Sequence, residues 1–206
     1  MDQLDQVIQT AGPLLRRVDE VISAVGAPAD HRIWAELRRV GLLPGDAVYA
    51  VAGLRPAELV EAAPELRADA RSYADIAQSL PAPGDWTGDA AEAYEATRRR
   101  TAGHLSGGGE SLDERLEATA DLADALIEWM NQSRAELAAT LAEILSSAEA
   151  LDLSNESAVD PAAGQEMVAA AEIAVRVLAA VADSYDLAAD LLDGSADLAN
   201  IQPGLG

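Results

Sequence analysis

An all-α fold is the class this chain predicts, and three observations predict it. Alanine and leucine, both strong helix formers, dominate a sequence that is 50% hydrophobic yet only 3% aromatic, while strand formers are sparse. Apolar residues recur at three-, four- and seven-residue spacings over long stretches instead of alternating. Glycine and proline gather in a few places that separate those stretches, above all within Leu80–Tyr94. The expected architecture is an antiparallel helical hairpin within an up-down bundle of about four long helices. Its parts are N-terminal helices over 1–55, the hairpin over 56–153, a long C-terminal helix over 154–195 and a flexible tail over 196–206.

The first helix covers residues 2–25, where Leu4, Val7, Ile8, Leu14, Leu15, Val18 and Ile22 fall near a 3.6 period. Gly12-Pro13 predicts a kink or a fresh start. A short helix follows over Arg32–Val40, with Asp30 as its cap and Ile33, Trp34 and Leu37 as its apolar face; Gly41 and Pro44-Gly45 close it. Asp46 is the expected cap of another short helix that ends at Gly53. From Pro56, large residues Leu59, Leu66, Tyr73 and Leu80 recur every seven positions, with Ala63, Ala70 and Ala77 four residues after the first three. That is a coiled-coil-like seam, and Pro64 within it predicts a kink or a helix start.

Pro81, Pro83 and Gly84 end the incoming helix, because proline lacks an amide donor and restricts the residue before it. Asp85 or Thr87 is the expected cap of the outgoing helix, and Asp89 and Glu92 suit its positive end. Gly107-Gly-Gly109 breaks that helix, and Ser111 is the candidate cap of the next. From there Leu116, Ala123, Met130, Leu137, Ile144 and Leu151 form one heptad column, and Leu112, Thr119, Leu126, Ser133 and Thr140 its more polar neighbour. A second turn is expected over Leu153–Ala163. The last helix, starting at Pro161 or Gly164, carries Val168, Ala171, Val175, Leu178, Ala182, Tyr185, Ala189 and Leu192 and is expected to end at Gly194.

Trp86-Thr87-Gly88, followed by Ala90, Ala91 and Tyr94, resembles the Trp-x-Gly turn of the WXG100 (ESX) superfamily, small helical-hairpin proteins exported by type VII secretion systems of actinobacteria and related bacteria. The resemblance covers roughly residues 56–150. It implies a secreted protein that acts through protein–protein interaction, with a homodimer, or a heterodimer with a small helical ESX-like protein, as its assembly. It also implies contact with the type VII secretion machinery, through a surface that includes Trp86, Gly88 and Tyr94. Export without a cleaved signal peptide, with a cytoplasmic stage before it, is the location implied. Family members or their partners usually carry a C-terminal Tyr-x-x-x-Asp/Glu export signal; here Tyr185 has Ala189 at that spacing and Asp190 one residue late. Other readings are a cytosolic scaffold or chaperone-like adaptor for an exported partner, and the targeting module of a toxin.

The chain is acidic, with a net charge of -22. Residues 1–100 carry 16 acids against 11 Arg and residues 101–206 carry 20 against 3, so the second half holds -17. Nucleic-acid binding is disfavoured, because phosphate contacts need clustered cations. The acid surplus serves solubility or offers a docking face to a basic partner. Without Cys there is no disulfide framework and no thiolate metal site. The acidic start, Met1–Asp5, lacks the apolar stretch of a cleaved secretory signal, and the longest apolar run, Met167–Ala182, is interrupted by Glu172 and Arg176, so no membrane span is expected.

Catalysis is not expected. No Lys is present for a Walker loop, and neither His31 nor His104 has Glu three residues before it, as a carboxylate-bridged di-iron bundle requires. Ser106, near His104, sits in no nucleophile elbow. No cofactor and no metal are anticipated. Trp86 either packs the bundle end or anchors an interface. Trp34 and Trp129 read as core or covering residues. Arg98-Arg-Arg100, the one cationic cluster in the sequence, is a solvated face, pairs within the chain with the acidic half, or is a docking patch for an acidic partner.

Overall fold

The computed structural model describes residues 2–108, 110–154 and 162–199. Among these the chain is all helical: α1 (Gln3–Ala24), α2 (Ile33–Val40), α3 (Pro44–Ala52), α4 (Ala62–Ser79), α5 (Asp89–Leu105), α6 (Leu112–Leu145), α7 (Ala148–Ser154) and α8 (Ala162–Ala199), with one 3-10 turn at Pro56–Glu58. They form two compact units. The first comprises residues 1–55 and 129–188, the second 56–128 and 189–206. A division by chain order into 1–55, 56–153 and 154–195 therefore cuts the molecule differently, because α6 and α8 each contribute to both units.

The first unit is built on a deep apolar core. On α1, Leu4, Ala11, Leu15, Val18 and Ile22 form one buried stripe. Pro13 lies inside this helix, which continues without a fresh start; the packed stripe on both sides of the proline outweighs its local penalty, about 3 kcal/mol or more in a helix interior. Asp2 opens α1 with a capping box: its carboxylate accepts the Asp5 amide at 3.0 Å and the Asp5 carboxylate accepts the Asp2 amide at 3.3 Å. The middle of α8 is apolar on most of its circumference, broken only by Glu172 and Arg176, and Ala169, Ala170, Ala171, Ile173, Ala174, Val175, Val177 and Leu178 are all buried, as expected of a helix that runs through a core. Ile33 of α2, Ala47, Val48 and Val51 of α3, Leu137, Ala138, Leu141 and Ile144 of α6 and Leu153 of α7 belong to the same cluster.

Buried Arg134 fastens this unit at one point. Its guanidinium donates to Asp2 at 2.6 Å, to Asp5 at 3.0 Å and to the Ala52 carbonyl at 2.6 Å, with Val51 and Leu54 carbonyls at 3.3 Å. One side chain of α6 thus holds the first turn of α1 and the last turn of α3, where carbonyls lack helical partners. The hydrogen bond from Arg134 holds the Asp2 carboxyl below its usual range. Trp129 donates to the Ser184 carbonyl at 2.7 Å, and the Ser133 and Ser184 hydroxyls meet in the interior between α6 and α8.

Several caps differ from the expectation. Asp30 does not cap α2; the His31 Nδ1 accepts the Ile33 amide at 3.3 Å instead. Asp46 does not cap α3, and Pro44 opens that helix rather than closing the one before it. The partner of its free amides comes from another helix: Asp19 of α1 accepts the Gly45 amide at 3.1 Å. A Cβ at Gly45 would displace the Asp19 carboxylate that accepts its amide. Burial raises the Asp19 pKa, opposed by the Gly45 hydrogen bond and aided by nearby Asp46.

In the second unit α4 packs on α5 and, through Ala63, Ala120 and Ala123, on the first part of α6. Pro56 starts only the 3-10 turn, and α4 begins at Ala62 with Pro64 in its first turn, where a missing amide is tolerated. The buried column of the heptad seam is Ala63, Ala70 and Ala77; Leu59, Leu66, Tyr73 and Leu80 are half-buried. Arg67 of α4 reaches Asp121 at 2.6 Å, Asp124 at 2.8 Å and Glu117 at 3.5 Å on α6.

The long helices stop where other forces decide. The chain leaves helix at 106–111, around the glycine run, whose Gly109 lies outside the described residues. Ser111 precedes α6, but its hydroxyl faces the Gly108 carbonyl and Asp113, while Asp113 accepts the Glu114 amide at 2.8 Å. The α6 heptad column ends at Ile144, and Leu151 is exposed on α7, a helix not expected. Of the second turn expected over 153–163, residues 155–161 lie outside the described residues. Gly194 does not end α8, which continues to Ala199, since one glycine costs only about 1 kcal/mol relative to alanine. The expected tail lies outside the described residues from position 200. No helix among the described residues is long and apolar enough to cross a membrane.

Candidate functional site

The connection between α4 and α5, residues 80–88, carries the site. Proline and glycine shape it: the Trp86 amide donates to the Pro83 carbonyl at 3.4 Å across Gly84 and Asp85, closing a tight turn. Gly88 then enters α5 with φ 86° and ψ -175°, backbone angles that essentially only glycine adopts. Neither Asp85 nor Thr87 caps α5, because Gly88 takes the capping position without a side chain, leaving Asp89 and Glu92 as the acidic first turn. Only Ala91 of α5 is buried among its residues.

Trp86 does not pack into the interior. It is 62% exposed and meets Tyr94 edge-on, with ring centroids 5.9 Å apart and planes at 70°. The Tyr94 hydroxyl in turn donates to the Pro81 carbonyl at 2.8 Å. A side chain one turn into α5 therefore ties the entry of the connection to its exit and props the indole. Edge-to-face pairs of this kind contribute about 0.5–1.5 kcal/mol, less when exposed. The indole is held in place while most of its surface faces solvent.

An open groove of about 590 Å³ runs from the indole along α5, lined by Pro83, Trp86, Thr87, Gly88, Ala91, Glu92, Glu95, Ala96 and Arg99. The structure thus brings Trp86, Gly88 and Arg99 to one groove, while Tyr94 joins the site through its contact with the indole. The arginine cluster is not a bare cationic patch. Glu95 accepts from Arg98 through both its oxygens at 2.7 and 2.8 Å and from Arg99 at 2.7 Å. Arg100 lies apart and donates to the Thr97 hydroxyl at 3.2 Å. The Arg98 hydrogen bonds, followed by those of Arg99, hold the Glu95 carboxyl down at about 2 against its desolvation. At neutral pH the groove wall therefore carries a paired, largely compensated charge network. Glu95 was not singled out from the sequence, although its three- and four-residue spacing to Arg98 and Arg99 is the ordinary signal of helical ion pairs.

The histidines also find roles. His31 Nε2 faces Glu172 at 3.3 Å, within the first unit, and His104 lies in the last turn of α5. Among the described residues, no group of three or more His, Asp or Glu side chains is placed to hold a metal ion. Comparison with protein-family models, curated proteins and solved structures finds no match to this chain.

Proposed function

We propose that the protein is a non-enzymatic, ESX-like component of a type VII secretion pathway, a substrate or a secretion-associated partner, acting through helix-to-helix association. In this reading α4 and α5 are an antiparallel hairpin, and Trp86-Thr87-Gly88 is its Trp-x-Gly turn within an up-down bundle. The observation that carries the proposal is the exposed indole, propped by Tyr94 at a turn whose glycine cannot be replaced without strain. Exposed but immobilised tryptophan is a favoured interface anchor, because little side-chain entropy is lost on binding. That the buried hydrophobic residues described in the second unit are all alanine supports the same reading: a second copy or a paired small helical protein would cover the half-buried seam of Leu59, Leu66, Tyr73 and Leu80.

One observation favours the adaptor alternative. Tyr185, the tyrosine nearest to the export-signal pattern, stands edge-on to Trp129 at 5.6 Å within the first unit. It is occupied in that unit's surface rather than presented on a free tail. The deciding experiment follows the protein in cell pellet and culture filtrate, with and without the type VII secretion ATPase. Filtrate signal that disappears without the ATPase supports export. Retention in the cell in both strains, with a cytosolic control behaving normally, moves the reading to a scaffold or adaptor that stays behind.

A further inference from the structure

The first unit has a second recessed surface, far in sequence from Trp86. A cavity of about 280 Å³ opens between α2, α3 and α8, floored by buried Val181 and Ala182 and walled by Val40 and Ala50. Leu42 and Tyr185 stand on its rim, each 41% exposed. The rim is built rather than loose: Tyr185 is braced edge-on by Trp129, which is itself fixed by its hydrogen bond to the Ser184 carbonyl. The volume falls just below the ~300–1,000 Å³ of small-molecule sites and suits one bulky side chain.

Charge decides what kind of chain carries that side chain. Arg39 lies at the mouth, but Asp186 at 2.5 Å, Asp183 at 2.8 Å and Glu36 at 3.5 Å surround it. Asp183 and Asp186 against the one guanidinium leave the rim negative, and they remain 72% and 68% exposed, whereas Glu36 has a carboxylate oxygen buried. An anionic occupant is repelled, while a cation finds carboxylate oxygens facing water. An occupant confined to the cavity would leave Leu42 and Tyr185 uncovered; a helix lying across the mouth covers both. We propose that this cavity is a docking site for a basic amphipathic helical segment of another protein, with one large apolar side chain in the cavity and Arg or Lys beside Asp183 and Asp186. The site is independent of the secretion reading, since neither Trp86 nor the second unit takes part.

The test uses the full chain, isotope-labelled, and a synthetic amphipathic Leu/Arg peptide of about five helical turns. The expected result is saturable binding with Kd below about 100 μM at low salt, weakened by added salt, with amide shifts clustered at Val40, Leu42 and Ala182. Ala50→Trp, a change at an exposed position, should raise Kd about tenfold with the melting temperature unchanged. Absence of saturable binding, indifference to Ala50→Trp, or shifts centred on Trp86 would overturn the proposal. Equal binding of a Leu/Glu peptide would also overturn it, by removing the charge argument. So would a dimer in sedimentation that Ala50→Trp splits, which would make a second copy the occupant.

Discussion

The two units solve the problem of burial in opposite ways. In the first, leucine, isoleucine and valine fill the interior, with Leu4, Leu15, Ile33, Leu141, Ile144, Ile173 and Leu178 almost fully buried. In the second, every buried hydrophobic residue described is alanine: Ala63, Ala70, Ala77, Ala91, Ala120 and Ala123. An alanine contact lets helix backbones approach closely but removes little apolar area from water, and stability follows area at about 25 cal/mol per Å². Exposed ion pairs such as those of Arg67 join α4 to α6 in the second unit, but pairs of this kind contribute little and salt screens them. The lesson is a division of labour: the first unit buries large aliphatic side chains, and the second, among its described residues, buries alanine and leaves its large apolar side chains half-buried or exposed.

The sharpest way to break this comparison is to delete a large side chain from each unit. Leu141→Ala should cost about 3 kcal/mol in denaturant unfolding, whereas half-buried Leu66→Ala should cost about 1 kcal/mol or less. Similar losses would erase the distinction. Arg134→Met comes next, at about 2–3 kcal/mol, because it leaves the Ala52 carbonyl and the Asp2–Asp5 pair without their buried donor. A neutral result would mean that water replaces the guanidinium without loss. Gly88→Ala should cost more than ~1 kcal/mol, since alanine does not tolerate φ 86°; melting curves would show whether the turn relaxes instead.

Acid should act more weakly and through a definable pair. The Asp2 pKa is lowered by Arg134 in the folded state. Its contribution is therefore fully present above the unfolded value of 3.8 and is lost as pH falls through the lower folded one. Because Asp2 is half exposed, the loss is about 1 kcal/mol at most. Asp2→Asn, which keeps the cap, should flatten stability between pH 4 and pH 2; an unchanged acid slope would assign it elsewhere. Asp19 works in the opposite sense, its raised pKa making the folded state less stable as pH rises through that value. The smallest expected change is Trp86→Ala, within about 0.5 kcal/mol in stability. Export or partner association should fall with it, and an equal fall in melting temperature would make the indole a packing residue.

What could be read from the sequence was what depends on period. The helices around Leu15, Leu66, Leu137 and Leu178 follow from apolar spacing alone, and the break near Gly107 from helix propensity. The turn at Trp86 was legible from its prolines and glycines, whereas the pairing of Arg98 and Arg99 with Glu95 was not drawn from the sequence. The misses are tertiary. Asp19 reaches across from α1 to take the place expected of Asp46, and packing carries α1 through Pro13. Arg134 sits in a heptad like any surface arginine, and nothing in its neighbours announces Asp2 and the end of α3 as its partners. Nor could the seam show that Ala70 is fully buried while Leu66, packed against the cluster of Ala63, Ala120 and Ala123, stays half-buried, because both belong to the same apolar stripe.

Native-state amide hydrogen exchange tests the division of labour most directly. The account predicts that amides of α4 and α5 open at least about 2 kcal/mol more readily than those in the middle of α1 and α8, and that a bound partner raises protection mainly in α4 and α5. Equal protection in both units, with no local opening of α4 and α5 below global unfolding, would contradict it.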